Sequence, residues 1–456
     1  MSETSRHSSP WWWVPTLYFA EGVPYFLVTS VSITLFTQLG MPNGQMALFT
    51  SLITFPWVIK PLWSPFVDVI RTKRWWVLLM QALMCVTILL LAWLAPKGYF
   101  TWALMFFTIT AFASATHDIA ADGFYMLALT NKQQAAFVGI RSTFYKIANI
   151  FCQSLLLMLV GWLQTKTTVA ASWTYTLLGC SGLMAGITLW HTFFLPVAEK
   201  TMHNAQCTMH NTMHNAQCVM RNTMNAQCTM RNEQDLSTAY PPDIHLTSGK
   251  EIWHEVGETF VEFFRKPGIG LALCFMLLYR LPEALLLKLC NPFFLASPED
   301  GGLGLSVATV GQIYGIGVVL MLLGGIAGGL WASRVGLKKA MLPMALCLTL
   351  PSAVYVYLAA VQPESFWVVS ACIGLEQLGY GLGYTACMLY MMHFADGAHK
   401  TAHFSLCTAV MFLGLMLPGM VAGYIEEPMG YIGFFGVVMA CCVPSIAVAW
   451  AVRNKL

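Results

Sequence analysis

Apolar residues in this chain fall into long runs separated by short polar connections. Twelve runs stand out, at approximately 13–38, 44–66, 75–95, 100–129, 136–163, 171–195, 267–296, 308–332, 340–361, 366–393, 401–425 and 429–451. Roughly 20 apolar residues in a helix cross about 30 Å of hydrocarbon, so each run is long enough to span a membrane. The pattern predicts an all-α membrane protein with twelve transmembrane helices. Six runs precede a long polar stretch and six follow it. The expected organisation is an N-terminal six-helix bundle at 1–195, a linker at 196–266 and a C-terminal six-helix bundle at 267–456.

The linker contains TMHNAQCTMHNTMHNAQCVMRNTMNAQCTMRN, a short polar repeat that offers nothing to pack. Its His203, His210 and His214 alternate with Cys207, Cys218 and Cys228, but an expanded, disordered connection explains them better than a metal cluster does. After the repeat, IWHEVGETFVEFFRK places Ile252, Trp253, Val256, Phe260, Phe263 and Phe264 on one helical face. That pattern reads as an interfacial helix leading into the seventh span.

Composition agrees with a bilayer rather than an aqueous setting. Of 456 residues, 57% are hydrophobic and 10% charged, against about 25% charged in soluble domains. A net charge of +3 without a basic, aromatic-interleaved stripe gives no support to a nucleic-acid partner. The polar start, MSETSRHSSP, lacks a small-residue cleavage site, so the first run is expected to be retained. Most of the fourteen cysteines sit inside apolar runs, where cysteine acts as a small hydrophobe, and neither CxxC nor HExxH occurs. No metal, cofactor or intramembrane catalytic set is expected.

Charge between the runs predicts orientation. Seventeen of the 24 Lys and Arg residues fall in the termini and even-numbered connections, and two, Lys97 and Lys166, in the odd-numbered ones. Positive residues concentrate on the cytoplasmic side, so both termini are expected in the cytoplasm.

Ten charged residues remain within the runs: Glu21, Lys60, Asp118, Asp122, Arg141, Lys146, Arg280, Glu283, Lys288 and Glu376. Such groups are costly in hydrocarbon and mark ion or substrate paths. Asp118 and Asp122 are four apart and project from one helix face. Two neighbouring carboxylates in a low dielectric do not both stay ionised, so the pair titrates as a unit. That suits proton coupling. Equally, Arg141 and Lys146 of the fifth run lie at comparable depth and would pin both aspartates as a closed gate. His117, one position off that face, reads as a hydrogen-bonded helper. At about 1.5 Å per residue, Arg280, Glu283 and Glu376 all lie near mid-membrane. Arg280 and Glu283, three apart, either neutralise each other or hold a substrate group. Tyr18, Tyr25, Tyr279, Tyr380 and Tyr384 could stack on sugar rings, although packing accounts better for any one of them.

The two halves echo each other. SPFVDVIRTKRW follows the second run and GGLWASRVGLKKAM the eighth. The latter resembles the G-x-x-x-D-R-x-G-R-R loop of the major facilitator superfamily, with Ser333 where Asp is usual; the former keeps Asp68 but lacks both glycines. This resemblance implies two six-helix bundles rocking about a midplane site, with Asp68, Arg71, Arg74, Arg334 and Lys338 in gating loops. It also implies a cavity lined by the first, fourth, seventh and tenth helices, which hold seven of the ten buried charges.

EGVPYFL, PWVIKPLWSPFVD, ATHDIAADGF and KTAHFSLCTAV together are similar to motifs of the AmpG-type muropeptide permeases, in the peptide/acetyl-CoA/drug transporter family. The family's fourth-span pattern resembles A-[ST]-Q-D-I-A-x-D, with Asp118 and Asp122 on its acidic positions and His117 replacing the usual Gln. The resemblance implies a monomeric symporter of the bacterial inner membrane. Its partners would be the lipid bilayer, protons and an anionic glycopeptide, with siderophores or other anionic solutes as alternative substrates; a non-transporting membrane receptor or scaffold with the same twelve spans stays open as a different class. It places proton coupling or a gate at Glu21, His117, Asp118, Asp122, Arg141 and Lys146. Substrate contacts would come from Arg280, Glu283, Lys288, Glu376, Tyr25, Tyr279 and Tyr380.

Overall fold

The computed structural model describes residues 9–196, 249–397 and 399–456, less the side chains of 68–69, 131, 135, 249–256 and 401. The repeat at 201–232, with its histidines and cysteines, lies outside the described residues. Everything described is helix, turn or connection. Ten helical stretches are long and apolar enough to cross a membrane, and the last, Ala402–Lys455, is long enough to cross twice. Gly430 divides that stretch. Its φ of 66° lies in the left-handed region, which glycine enters without a Cβ penalty, and it separates the eleventh span from the twelfth. With Phe366–Phe394 as the tenth span, the spans among the described residues number twelve.

Local chemistry sets the span ends. Thr72 caps the third span by accepting from the Trp75 N–H (3.1 Å). Thr130 and Gln133 form a reciprocal capping box at the start of the fifth, and Ser306 caps the eighth. Elsewhere, helices are interrupted. The seventh span runs as Ile269–Leu278 and Leu281–Leu295. Pro282 has no N–H to give the carbonyl of Leu278, and the chain steps out of helical geometry at Arg280 (φ −104°, ψ 19°). Ser445 Oγ of the twelfth span donates to the freed carbonyl of Tyr279 (2.5 Å). Widened, π-type turns occur at Leu27–Val31 in the first span and Phe151–Leu156 in the fifth. These two helices pack against each other.

Each half buries its own helix contacts, the third span against the fourth and sixth, the eighth against the tenth, and the ninth against the tenth. Across the halves, the second span meets the eleventh and the fifth meets the eighth. An even number of spans brings both ends of the chain to one side, termed here the terminus side; the other is the far side. On the far side the halves are tied together. Asn43 Nδ2 donates to Glu426 Oε2 (2.8 Å) and to the Tyr431 hydroxyl (3.2 Å), and the Gly44 N–H donates to Glu427 Oε1 (2.8 Å). Gly423 packs directly on the backbone of Asn43, leaving no room for a Cβ. Two cavities lie between the halves at the depth of Glu21, Asp118 and Glu376, and a third, about 600 Å³, lies between them on the far side against Gln38, Asn43, Ala296 and Asp300.

The helix at Gly249–Arg265 precedes the seventh span, as its periodicity predicts. Phe263 is fully buried and packs with Phe260 among residues of the seventh, tenth and eleventh spans, whereas Phe264 is exposed. The side chains of Ile252, Trp253 and Val256, the rest of the face read from sequence, lie outside the described residues.

Candidate functional site

The first cavity, about 210 Å³, is lined by Glu21 and Tyr25 of the first span, Trp57 and Lys60 of the second, Asp118 of the fourth and Tyr145 of the fifth. Its other wall includes Tyr384, Ser405 and Phe412 from the C-terminal half. The second, about 230 Å³, is deeper and holds Lys146, Asn149, Arg280, Glu283 and Glu376. Tyr25, Tyr145, Tyr384 and Phe412 line both, so an aromatic waist lies between them.

Glu21, Asp118 and Asp122 present carboxylate oxygens within 4.8 Å of one another. Like charges held that close in a low dielectric repel strongly unless cations or protons intervene. Two cations do. Lys60 pairs with Asp118, and Arg141 Nη2 pairs with Asp122 Oδ1 at 2.8 Å. The Tyr18 hydroxyl also donates to Asp122 Oδ1 (3.0 Å), and the Arg141 guanidinium lies 4.6 Å from the Tyr18 ring centroid. Glu21, only 7% exposed, has no such partner among the described residues, and its Oε2 is buried without a hydrogen bond. Among the described residues these three carboxylates are the only grouping with metal-like spacing, but Lys60 and Arg141 already occupy oxygens of two of them.

This arrangement differs from the one read in sequence. Arg141 does reach Asp122, but Asp118 is held by Lys60 of the second span and not by Lys146. Lys146 faces the second cavity, a little farther along the fifth span. Lys60 is visible in the sequence as a buried charge, yet nothing local to the second run points to its partner. Tyr18 acts as a hydrogen-bond donor rather than as a stacking surface.

His117 turns away from the carboxylates. It is fully buried, with Nε2 3.0 Å from Gln81 Nε2. Gln81 Oε1 in turn meets His191 Nδ1 (3.0 Å), and His191 Nε2 meets Thr16 Oγ1 (2.9 Å). The Gln81 amide donates to His117 and its oxygen accepts from the His191 Nδ1–H, while the Thr16 hydroxyl shares its one proton between His191 Nε2 and the Trp13 carbonyl (3.2 Å). This chain fastens the first, third, fourth and sixth spans beside Asp118. Sequence reading missed Gln81 and His191, which sit in apolar runs with no spacing that connects them.

In the C-terminal half, Arg280 and Glu283 pair at the break in the seventh span. Nε and Nη2 of Arg280 donate to Oε2 (2.7 Å) and Oε1 (2.5 Å) of Glu283, a bidentate arrangement. Arg280 Nη2 also donates to the Tyr380 hydroxyl (3.1 Å), and its guanidinium lies 4.9 Å from the Tyr384 ring centroid. Glu376 lines the same cavity. Tyr279 does not: it is fully buried, and its hydroxyl donates to the carbonyl of Gly383 (3.0 Å), a packing role. Lys288 lies outside both cavities, buried where the seventh span meets the second, and donates to Thr50 Oγ1 (3.3 Å).

The loop residues sit on the terminus side. Arg71, Arg334 and Lys338 are exposed, while Arg74 donates to the carbonyls of Thr192 (2.6 Å) and Leu195 (3.1 Å), tying the third span to the end of the sixth. The side chain of Asp68 lies outside the description. In the connection after the tenth span, Lys400 beside Asp396 (3.0 Å) holds that exposed carboxyl below its usual range.

Twelve helices in two halves, closed on one side and enclosing ionic groups at mid-depth, define a membrane transporter that works through its cavity. The sequence profile of the Major Facilitator Superfamily matches residues 16–417, and the chain belongs to that family, a family of transporters and not of enzymes. An anhydromuropeptide permease of Escherichia coli (strain K12) is 23% identical over 448 residues, covering 96% of this chain and 79% of that protein. A putative transporter, AmpG 4, of Rickettsia felis is 21% identical over 449 residues, covering 96% and 95%. Among solved structures, a point mutant of the nucleoside transporter NupG superposes with a TM-score of 0.68 at 15% identity, covering 97% of this chain and 98% of that one. A D-xylose–proton symporter gives 0.64 at 11%, with 96% of both chains covered. At these identities the solved structures speak for the fold alone.

Proposed function

We propose that this chain imports anhydromuropeptides, or closely similar cell-wall fragments, across the bacterial inner membrane by alternating access, driven by protons. In this reading both termini are cytoplasmic, the far side is periplasmic, and the structure represents an inward-facing state. The units 1–195 and 267–456 act as the two rocking bodies, joined by the linker at 196–266. The substrate assignment is supported by the relatedness to anhydromuropeptide permease along nearly the whole chain.

Proton coupling rests on one observation. Glu21, Asp118 and Asp122 would carry three negative charges, and Lys60 and Arg141 supply two positive ones. The surplus falls on Glu21, whose buried Oε2 has no partner. One bound proton makes the cluster neutral, and neutrality is strongly favoured in a low dielectric. A proton entering here would reside on Glu21 while the two aspartates stay paired. Loss of that proton would leave an uncompensated charge that the cluster must rearrange to accommodate. That dependence couples protonation to the relative position of the first, second, fourth and fifth spans.

The test uses proteoliposomes given labelled anhydromuropeptide on the outside, empty for accumulation and preloaded with unlabelled compound for counterflow. Glu21→Gln should abolish gradient-driven accumulation while leaving counterflow exchange, which needs no net proton movement. Undiminished accumulation in Glu21→Gln would overturn this role for Glu21. Orientation is checked separately: single cysteines at Ser297 or Ser365 should react from the periplasm and one at Ser237 from the cytoplasm.

A further inference from the structure

The second cavity holds two ionisable groups of opposite sign, Lys146 and Glu376, that no ion pair neutralises among the described residues. Lys146 of the fifth span lines it, and among the described residues no carboxylate or hydrogen-bond acceptor takes its ammonium; Arg280, of like charge, acts against it. Asn149 and Gln153, three and seven residues on, line the same cavity and extend a polar stripe from Lys146. On the tenth span, Glu376 is 6% exposed and lines this cavity. It accepts from its neighbour Gln377 (2.9 Å) and has no cation partner among the described residues. No ion pair joins Lys146 to Glu376. The remaining charges here, Arg280 and Glu283, satisfy each other.

Lys146 is half-buried and keeps contact with water, whereas Glu376 is buried, and an ionised carboxylate there costs several kcal/mol unless a proton or a cation meets it. With both groups ionised the cavity as a whole is neutral, so neither a simple anion nor a simple cation would relieve both ends. An anion on Lys146 leaves Glu376 alone, and a cation on Glu376 leaves Lys146 alone. We propose that the cavity is built for a zwitterion, with a ligand carboxylate on Lys146 and a ligand ammonium on Glu376. Arg280, bound to Glu283, serves to shape the wall and not to hold the anion. This rests on the reading of the cavity as the transport site and narrows its substrate to peptide-bearing fragments that keep both a free amine and a free carboxylate.

The experiment measures binding of three compounds to the full-length protein: an anhydromuropeptide with a free amine and carboxylate on its peptide, the same compound N-acetylated, and the same compound amidated. In the wild type each cap should weaken binding about 10- to 100-fold, the worth of a charge-assisted hydrogen bond. Glu376→Gln should lose the penalty for acetylation and keep that for amidation; Lys146→Gln should do the reverse. General damage to the fold would not produce that crossed pattern. Glu376→Asp and Lys146→Arg, which keep the charges, should retain both penalties. Wild-type binding indifferent to both caps, or penalties unchanged in the Gln variants, would overturn the proposal. If the wild type binds none of the three, the muropeptide assignment fails by itself. The zwitterion is then judged on a simple dipeptide and its N-acetyl and C-amide forms, and it stands only if the free dipeptide binds tighter than both.

Discussion

The two halves of the molecule handle buried charge in different ways. In the N-terminal half the ion pairs run between spans: Lys60 of the second and Arg141 of the fifth each reach the fourth, and Tyr18 adds the first. In the C-terminal half, the bidentate pair of Arg280 and Glu283 lies within a single span. Pairs between helices are made or lost when helices shift. A pair three residues apart travels with its helix. On the proposed mechanism the N-terminal network registers movement and protonation, while the C-terminal pair supplies a fixed wall.

The contrast is open to direct attack. The largest effect on stability is expected from Arg280→Met, which strands Glu283 in a nearly closed site where side-chain exposure is 11%. Removing one partner of a buried pair costs about 3–5 kcal/mol, read as a lower thermal midpoint in detergent, and Glu283→Gln should restore much of it. Lys60→Met should cost less, about 1–3 kcal/mol, because Asp118 retains 23% side-chain exposure and can be hydrated. If Lys60→Met proves the more damaging, the N-terminal network is the fixed wall instead. Next comes Asn43→Ala, which removes the donor to Glu426 and Tyr431 on the far side. A net loss of about 1 kcal/mol from the closed state should raise the labelling rate of a far-side cysteine at Thr37 about fivefold. The smallest effect belongs to Asp396. Its carboxyl is lowered by Lys400, so any stabilisation is present above the ordinary carboxylate pKa and is lost as pH falls through the lowered value. The pair is exposed and screened, so Asp396→Asn should leave the midpoint unchanged at neutral pH.

Much of this architecture could be read from the chain alone. The runs at 100–129 and 308–332 coincide closely with helices Phe100–Ala128 and Val307–Val335, since hydrocarbon thickness dictates span length whatever the packing. Spacing also showed that Asp118 and Asp122 share a face, because that depends on a single helix. It did not show which cation each would meet. Lys60 rather than Lys146 holds Asp118, and that choice depends on how the second span leans on the fourth, a tertiary fact with no local signature. The tyrosines divide for the same reason. Tyr380 reaches the cavity, whereas Tyr279, just before the break, turns into the packing against the tenth span.

The widened turns at Leu27–Val31 and Phe151–Leu156 have a consequence for motion. Each represents a surplus residue inserted into a helix, so the segments on either side of it are offset by about 100° from the phase of an uninterrupted helix. Such a turn is not pinned to one place. By handing its hydrogen bonds one step along, it swivels the residue it passes by about that angle while both ends of the helix stay where they are. Tyr25 and Asn149, each within a few residues of its turn, line the second cavity. The first and fifth spans thus carry a paired dislocation, able to turn side chains toward or away from the cargo without moving either helix end.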